Sequence, residues 1–205
     1  MKGLLIASSS VVGIMALLAM YWWSPSEQLI PENQLNPEFM TYFNNMLTHI
    51  IERNPVLQNQ EFRLLVSRYF WPNASCQGEG TIVVNLGLIS RLENESQLCF
   101  VLCHELAHQY KNHVNRSIKD YVEKVHGKET SKKLKKIAKG NNTFEEALKL
   151  QKSLIFDMRL HSREHEIEAD SLALVFMNPT DYDTKEAISC LEILDKIDTP
   201  KRADL

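Results

Sequence analysis

Two histidines and a glutamate stand together in the run His104-Glu105-Leu106-Ala107-His108. In a helix, residues four apart lie about 40° from each other around the axis, so both imidazoles can bind one metal ion. Glu105 lies about 100° away and can approach a water molecule beside that metal. This combination of ligands and base is typical of zinc hydrolases. The run therefore predicts a site for one Zn²⁺ ion, with Glu105 as the catalytic base.

The residues around this motif predict a buried helix. Asn94, followed by Gln97 three residues later, resembles a helix N-cap, and neither Pro nor Gly interrupts the next twenty residues. We therefore expect a helix from about Glu95 to about Ser117. Buried histidines beside a buried carboxylate need a partner, and a metal ion supplies one. The apolar residues on which this burial rests are Leu98, Val101, Leu102 and Ala107.

A catalytic zinc ion usually has three protein ligands and one open position, so a third ligand has to come from elsewhere. The extended metzincin pattern requires a Gly and a His at the positions of Lys111 and Val114, and is excluded. On an uninterrupted helix His113 would lie about 180° from His104 and point away from the metal. We interpret His113 as structural.

A second run, Ser162 to Asp170, contains the predicted third ligand. Glu166 can bind the zinc ion, while Asp170, one turn further along a helix, can orient a ligand histidine. Arg163, three residues before Glu166, is a candidate contact to the ligand carboxylate or to a substrate oxygen.

Other polar residues leave alternatives open. The donor that stabilises an oxyanion could be Arg163, His165 or Tyr182, and the sequence does not distinguish among them. His161 and His165 are also four apart and form a competing metal pair. We interpret this pair as an exposed polar face of a charged helix.

An apolar segment opens the chain. Gly3 to Trp23 carry no charge, and as a helix these 21 residues would span about 31 Å, close to the thickness of a bilayer core. Residues 1–24 are therefore predicted to form a hydrophobic helix that anchors the protein in a membrane. Lys2 before it and Glu27 after it predict that the remainder lies on the periplasmic or extracellular side. The alternative is a cleaved signal peptide, which would release a soluble exported protein.

Composition limits the rest of the chain. Residues 25–36 contain prolines among polar residues and are predicted to be a linker, and residues 37–205 fit a single catalytic domain. The 23 Lys and Arg residues against 26 Asp and Glu residues exclude a typical nucleic-acid binder.

The pairing of the four cysteines cannot be deduced from the sequence, and we expect all four to pack as small apolar residues. They are Cys76, Cys99, Cys103 and Cys190.

Hydrophobic spacing predicts an α+β fold, mainly helical with a small β-hairpin or sheet, and the run His104 to His108 indicates a zincin-like domain. Short strands are expected within Glu61 to Tyr69, where Phe62, Leu64 and Val66 lie at alternate positions, and at Thr81 to Asn85, which follows a turn-rich stretch. Lysine-rich residues 118–142 are interpreted as a solvated helical face, with attraction to anionic lipid as the alternative. Further helices are predicted from about Glu38 to Arg53, Thr143 to Met177 and Thr184 to Lys196.

The pattern His104-Glu105-x-x-His108, with Glu166-x-x-Ala169-Asp170, resembles the gluzincin metallopeptidase family that includes the CAAX prenyl endopeptidase and HtpX. The likeness also covers Asn73-Ala74 and Ile82-Val83-Val84 upstream, and extends over roughly residues 37–200. The single hydrophobic segment is closer to the exported, single-domain members than to those with several membrane spans.

This resemblance implies a zinc endopeptidase with the ligands His104, His108 and Glu166 and the catalytic residue Glu105. It also implies that a substrate adds as a strand beside Ile82 to Asn85. We expect a polypeptide substrate among exported or membrane-associated proteins, including misfolded ones. The alternative is a membrane-tethered, zinc-containing polypeptide-binding or chaperone-like module without proteolysis, and a third reading is hydrolysis of a small amide.

Overall fold

The computed structural model describes residues 29–137 and 143–202, with the backbone alone for most of residues 143–162. The hydrophobic helix predicted for residues 1–24 lies outside these ranges, as do residues 138–142 of the lysine-rich stretch. Within the described ranges, every helix is too short or too polar to cross a membrane.

Helices make up most of the described chain, and a three-stranded sheet completes it, so the predicted α+β class is confirmed. The strands are β1 (Arg63–Ser67), β2 (Ala74–Cys76) and β3 (Thr81–Asn85). The helices are α1 (Pro37–Arg53), α2 (Leu86–Ile89), α3 (Glu95–Tyr110), α4 (His113–His126), α5 (Lys128–Ile137), α6 (Thr143–Met177) and α7 (Glu186–Arg202).

The sheet has the order β1-β3-β2, with β3 parallel to β1 and antiparallel to β2. β2 and β3 form the predicted hairpin, whose turn holds Gly78 and Gly80 at φ values of +86° and +73°. A Cβ atom on Gly80 would lie 1.8 Å from the carbonyl oxygen of Glu61, so only glycine fits there. Because β3 is paired on both sides, the predicted docking edge at Ile82 to Asn85 is wrong, and β2 is an edge strand instead.

Helix α3 is the centre of the core. The side chain of Asn94 accepts a hydrogen bond from the Gln97 amide at 3.0 Å, as the capping pattern predicts. Residues 97–103 and 105–107 are all buried, between α1, the sheet and the last two helices. The fully buried Ala169 and Ala173 of α6 allow that helix to approach α3 closely. This close packing sets the distance between the two predicted metal-binding runs.

The single helix predicted from Glu95 to Ser117 is wrong, because the chain forms two helices there. Helix α3 ends at Tyr110, and Asn112 adopts a left-handed conformation with φ of 55° before α4 begins at His113. Asn tolerates this conformation better than most residues, so it can end one helix and redirect the chain into the next. His113 consequently does not follow the helical rotation that placed it opposite His104.

Candidate metal and active site

Three side chains from α3 and α6 converge on one point. Nε2 of His104 lies 3.0 Å from Nε2 of His108, and the Glu166 carboxylate lies 3.3 Å from the first and 3.6 Å from the second. Ligands arranged tetrahedrally around zinc, at bond lengths of about 2.0–2.1 Å, stand about 3.3 Å apart. The three ligand atoms therefore fit one ion of this size, and together they form a candidate metal site.

The charges of this cluster favour a cation. Burial opposes the charged form of His104, but hydrogen bonds to Asp170 and Glu166 outweigh it and raise the pKa of His104 to about 10. Burial would raise the pKa of Glu166, yet hydrogen bonds from the two histidines hold it well below its usual range. Glu166 therefore remains ionised at neutral pH and supplies the negative charge that attracts a metal ion.

Asp170 contacts the ring nitrogen of His104 that faces away from the cluster. Its carboxylate lies 2.9 Å from Nδ1 of His104, on the side of the ring opposite the cluster. A carboxylate in this position accepts the Nδ1 proton, so a metal ion that displaces the proton on Nε2 can bind that nitrogen. Asp170 therefore makes the contact to a ligand histidine that the sequence predicts.

His113 supports the second histidine, a contact that the sequence analysis did not anticipate. Its Nδ1 lies 3.0 Å from Nδ1 of His108, and its Nε2 lies 3.0 Å from the Glu168 carboxylate. Burial lowers the pKa of His113, so the neutral ring can accept the Nδ1 proton of His108. The chain of hydrogen bonds then runs from His108 through His113 to Glu168, and orients His108 as Asp170 orients His104.

Glu168 is fixed by two cations at the surface. The ammonium group of Lys111 lies 2.7 Å and the guanidinium of Arg116 3.2 Å from its carboxylate. Hydrogen bonds from Lys111 and His113 hold the pKa of Glu168 at about 2. The ionised Glu168 carboxylate accepts the Nε2 proton of His113. Nδ1 of His113 then carries no proton and can accept from His108.

We expect His113→Ala to weaken zinc binding about 10–100-fold, because His108 loses the partner that orients it. His113→Gln keeps an acceptor oxygen and should recover part of the loss. The measurement is the zinc dissociation constant, by competition with a chromophoric chelator. His126→Ala, at the other end of α4, is the control. Equal affinities for the Ala and Gln variants would show that His113 contributes packing alone.

Glu105 lies in the same cleft and is only 7% exposed. Burial raises its pKa, while His104, His108 and the backbone N–H of Cys76 act in the opposite direction. A carboxylate with a raised pKa, beside a site for a Lewis acid, suits a group that first takes and later returns a proton. Its position agrees with the predicted role as general base.

The cleft in front of these residues has a volume of about 520 Å³. Its lining includes the segment Trp71 to Cys76, which contains β2, and apolar residues of α3 and α7. Such an opening combines a polar floor with apolar sides, as peptide-binding clefts do. The apolar lining residues include Leu88, Phe100, Val101, Leu191 and Leu194.

The other predicted polar residues lie elsewhere. Arg163 is exposed and is not among the residues that line the cleft. His165 is buried, so its interpretation as part of an exposed polar face is wrong, and it stacks on His113 with ring centroids 4.2 Å apart. Tyr182 packs edge-on against His49. The side chain of His161 is outside the described residues. The proposed contact of Arg163 and the identity of the oxyanion donor remain predictions.

All four cysteines are free thiols. Cys99, Cys103 and Cys190 are buried in the core, as expected for small apolar side chains, and burial raises the pKa of Cys190 to about 12. Cys76 is half-buried in the cleft wall, with its sulfur 3.4 Å from the Gln109 side-chain oxygen. Burial also raises the pKa of Cys76 and Cys103, which favours the unreactive protonated form of these thiols.

The fold and the site together define a class. A buried helix with two histidines and a glutamate, a carboxylate from a neighbouring helix as third ligand and a small sheet beside the cleft are typical of gluzincin metallopeptidases. The model of peptidase family M48 matches residues 41–200, and the chain belongs to this family. The resemblance to the family of HtpX and the CAAX prenyl endopeptidase is thereby confirmed, and membership makes the chain a metallopeptidase. No curated protein matches the sequence.

Proposed function

We propose that the protein is a zinc-dependent endopeptidase that cleaves exported or membrane-associated polypeptides. The observation that carries this proposal is the convergence of His104, His108 and Glu166 in a cleft that also holds the buried Glu105. The described residues bring three potential ligands together, whereas a structural zinc ion normally has four. This difference favours an enzyme over the polypeptide-binding alternative.

Zinc bound by these three side chains would lower the pKa of a water molecule and polarise a carbonyl group. Glu105 accepts the proton of the attacking water on its carboxylate and then delivers that proton to the nitrogen of the departing amine. Asp170 and His113 keep the two imidazoles in fixed tautomers throughout. Phe100 and Leu191 line the cleft and can contact apolar side chains of the substrate.

Substrate binding involves the edge strand β2. The Asn73 carbonyl accepts from the Asn85 amide at 2.9 Å, and the Gln77 amide donates to the Thr81 carbonyl at 2.8 Å. Because such bonds alternate along a strand, the backbone groups of Ala74 and Cys76 point away from β3. The Cys76 N–H is bonded to Glu105. Ala74 is therefore left to pair with an added strand, and an extended peptide bound there would pass directly in front of the metal site.

We expect Ala74→Pro to reduce cleavage of a polypeptide about tenfold, because one hydrogen bond to the bound strand is worth about 1.4 kcal/mol or less. Proline removes an outward N–H and leaves the pairing of β2 with β3 intact. Ala74→Val keeps this N–H and is the matched control. The measurement is kcat/KM together with zinc content. An equal loss in the Val variant would assign the effect to crowding rather than to the hydrogen bond.

The location of the enzyme is part of the proposal. The uncharged segment Gly3 to Trp23 would hold the protein in a membrane, and Lys2 before it and Glu27 after it favour a catalytic domain on the periplasmic or extracellular side. A signal peptide that is cleaved would release the same domain into the same compartment. The substrates are accordingly proteins that reach that side of the membrane.

The direct test is cleavage of casein, an unfolded protein, by the purified full chain with and without a zinc chelator. We expect cleavage that stops on chelation and returns when zinc is added back. A folded, zinc-loaded protein that binds casein without cutting it would contradict the peptidase and support the binding module.

A further inference from the structure

Three consecutive aromatic residues project from the loop between β1 and β2. Tyr69, Phe70 and Trp71 are 50%, 77% and 38% exposed, and we refer to them as the aromatic loop. Leu86, the first residue of α2, is also exposed. Apolar surface of this kind is costly in water and commonly marks an interaction site.

The backbone of the aromatic loop is firmly held, so the exposure is a property of the folded domain. The carbonyl oxygen of Tyr69 accepts from the Gly87 amide at 3.1 Å, and that of Trp71 accepts from the Asn85 side chain at 3.0 Å. A Cβ atom on Gly87 would lie 1.9 Å from the carbonyl oxygen of Phe70, so this contact requires glycine. The fold thus fixes the loop while leaving its side chains outside.

The chain enters the domain next to this loop. Leu29 forms an isolated bridge with Ser67, and the Ile30 amide donates to the Val66 carbonyl at 2.9 Å. The uncharged segment ends at Trp23, and the six residues to Leu29 can extend over at most about 21 Å. A membrane that holds residues 3–23 is therefore close to the end of β1, where the aromatic loop begins.

Charges around the aromatic loop suit a lipid surface. Arg68 precedes it, and the guanidinium of Arg91 lies 5.1 Å from the centre of the Phe70 ring. From Arg63 to Leu92 the sequence contains one acidic residue, Glu79, which lies in the turn at the opposite end of β3. Arginine beside exposed aromatic rings can reach lipid phosphates while the rings enter the headgroup region.

We propose that the aromatic loop inserts into the interface of the membrane that holds the N-terminal segment. This inference rests on the proposed membrane anchor and goes beyond the proposed peptidase activity. Trp71 and the two residues after it also line the catalytic cleft. The cleft therefore opens at the lipid surface, and the preferred substrates are polypeptide segments that lie close to the bilayer.

The test is tryptophan fluorescence of the full chain in vesicles of phosphatidylcholine and phosphatidylglycerol. The sequence has three tryptophans, so Trp22, Trp23 and Trp71 are each replaced by Phe and a single reporter is introduced as Phe70→Trp. We expect emission to shift to shorter wavelength and to be quenched when the lipids carry brominated acyl chains. Leu134→Trp, exposed on the lysine-rich helix α5, is the matched control and should not be quenched.

Each other outcome overturns the proposal. Failure of the protein to float with vesicles would exclude both the proposed anchor and the proposed membrane contact of the loop. Flotation without quenching at position 70 would retain the anchor and exclude the loop, and quenching at position 134 alone would assign the contact to α5. A shift to shorter wavelength without quenching would show that protein covers the loop. Casein cleavage is measured separately, so none of these results decides the peptidase proposal.

A second measurement connects the loop to substrate choice. We expect Phe70→Glu to lower cleavage of a peptide tethered to vesicles several-fold and to leave cleavage of the same peptide in solution unchanged, because Phe70 does not line the cleft. Ile118→Glu, at another exposed apolar position, on α4, is the control. Equal cleavage of both forms by the Phe70→Glu variant and the unmodified protein would contradict a role in substrate choice.

Discussion

Glu105→Gln is expected to retain zinc and to lose at least about a hundredfold in kcat/KM, since a positioned general base typically contributes about 10²–10⁴-fold. The substitution keeps the size of the side chain and an oxygen that can accept from the Cys76 amide. It removes the group that takes the proton from water. The measurements are casein cleavage and the zinc content of the purified protein.

The fold should tolerate this change. Burial raises the pKa of Glu105 above its ordinary value, so the ionised carboxylate opposes folding at neutral pH and its removal should not lower the free energy of unfolding. Glu95→Gln, at the exposed first turn of the same helix, is the control. Turnover equal to that of the unmodified enzyme, with zinc bound, would exclude Glu105 as the base.

Glu166→Ala is expected to weaken zinc binding by more than the about 10–100-fold that follows loss of an outer partner of a ligand. The variant removes both a ligand and the negative charge of the cluster. The half-exposed position of this side chain means that truncation should leave the fold intact. The measurement is the zinc dissociation constant, with thermal unfolding of the metal-free protein as a check on the fold.

Glu164→Ala, two residues earlier on the same helix, is the matched control. Its side chain is exposed and does not line the cleft, so zinc affinity should be unchanged. Full zinc occupancy in the Glu166→Ala variant at the same free zinc concentration would show that the third ligand lies elsewhere in the chain.

Parts of the site depend on short-range spacing and could be predicted from the sequence. Residues four apart on a helix share a face, so the pairing of His104 with His108, and the shared direction of Glu166 and Asp170, follow from helical geometry alone. The N-cap at Asn94 and the buried character of α3 likewise follow from local patterns. The length of α6 was also predicted correctly, because no Pro or Gly interrupts it before Asn178.

Other parts depend on how the chain turns between elements. A single left-handed residue, Asn112, ends α3 and brings His113 against His108, whereas helical periodicity placed it on the far side. The signal in the sequence was weak: an Asn shortly before a His, in a stretch with no Gly or Pro. The pairing of Glu168 with His113 joins residues 55 positions apart, and no local pattern encodes it.

The sequence by itself determined the candidate ligands, the base, the helical class of the domain and the apolar N-terminal segment, because these features follow from residue type and from periods of two to four residues. The tertiary structure decided which strand is the free edge, which partner orients each histidine and where the aromatic loop lies relative to the chain entry. The physical reason is that hydrogen bonds between strands and contacts between helices join residues far apart in the chain. Local spacing cannot choose between β2 and β3 as the edge, because that choice is made by the pairing of β1 with β3.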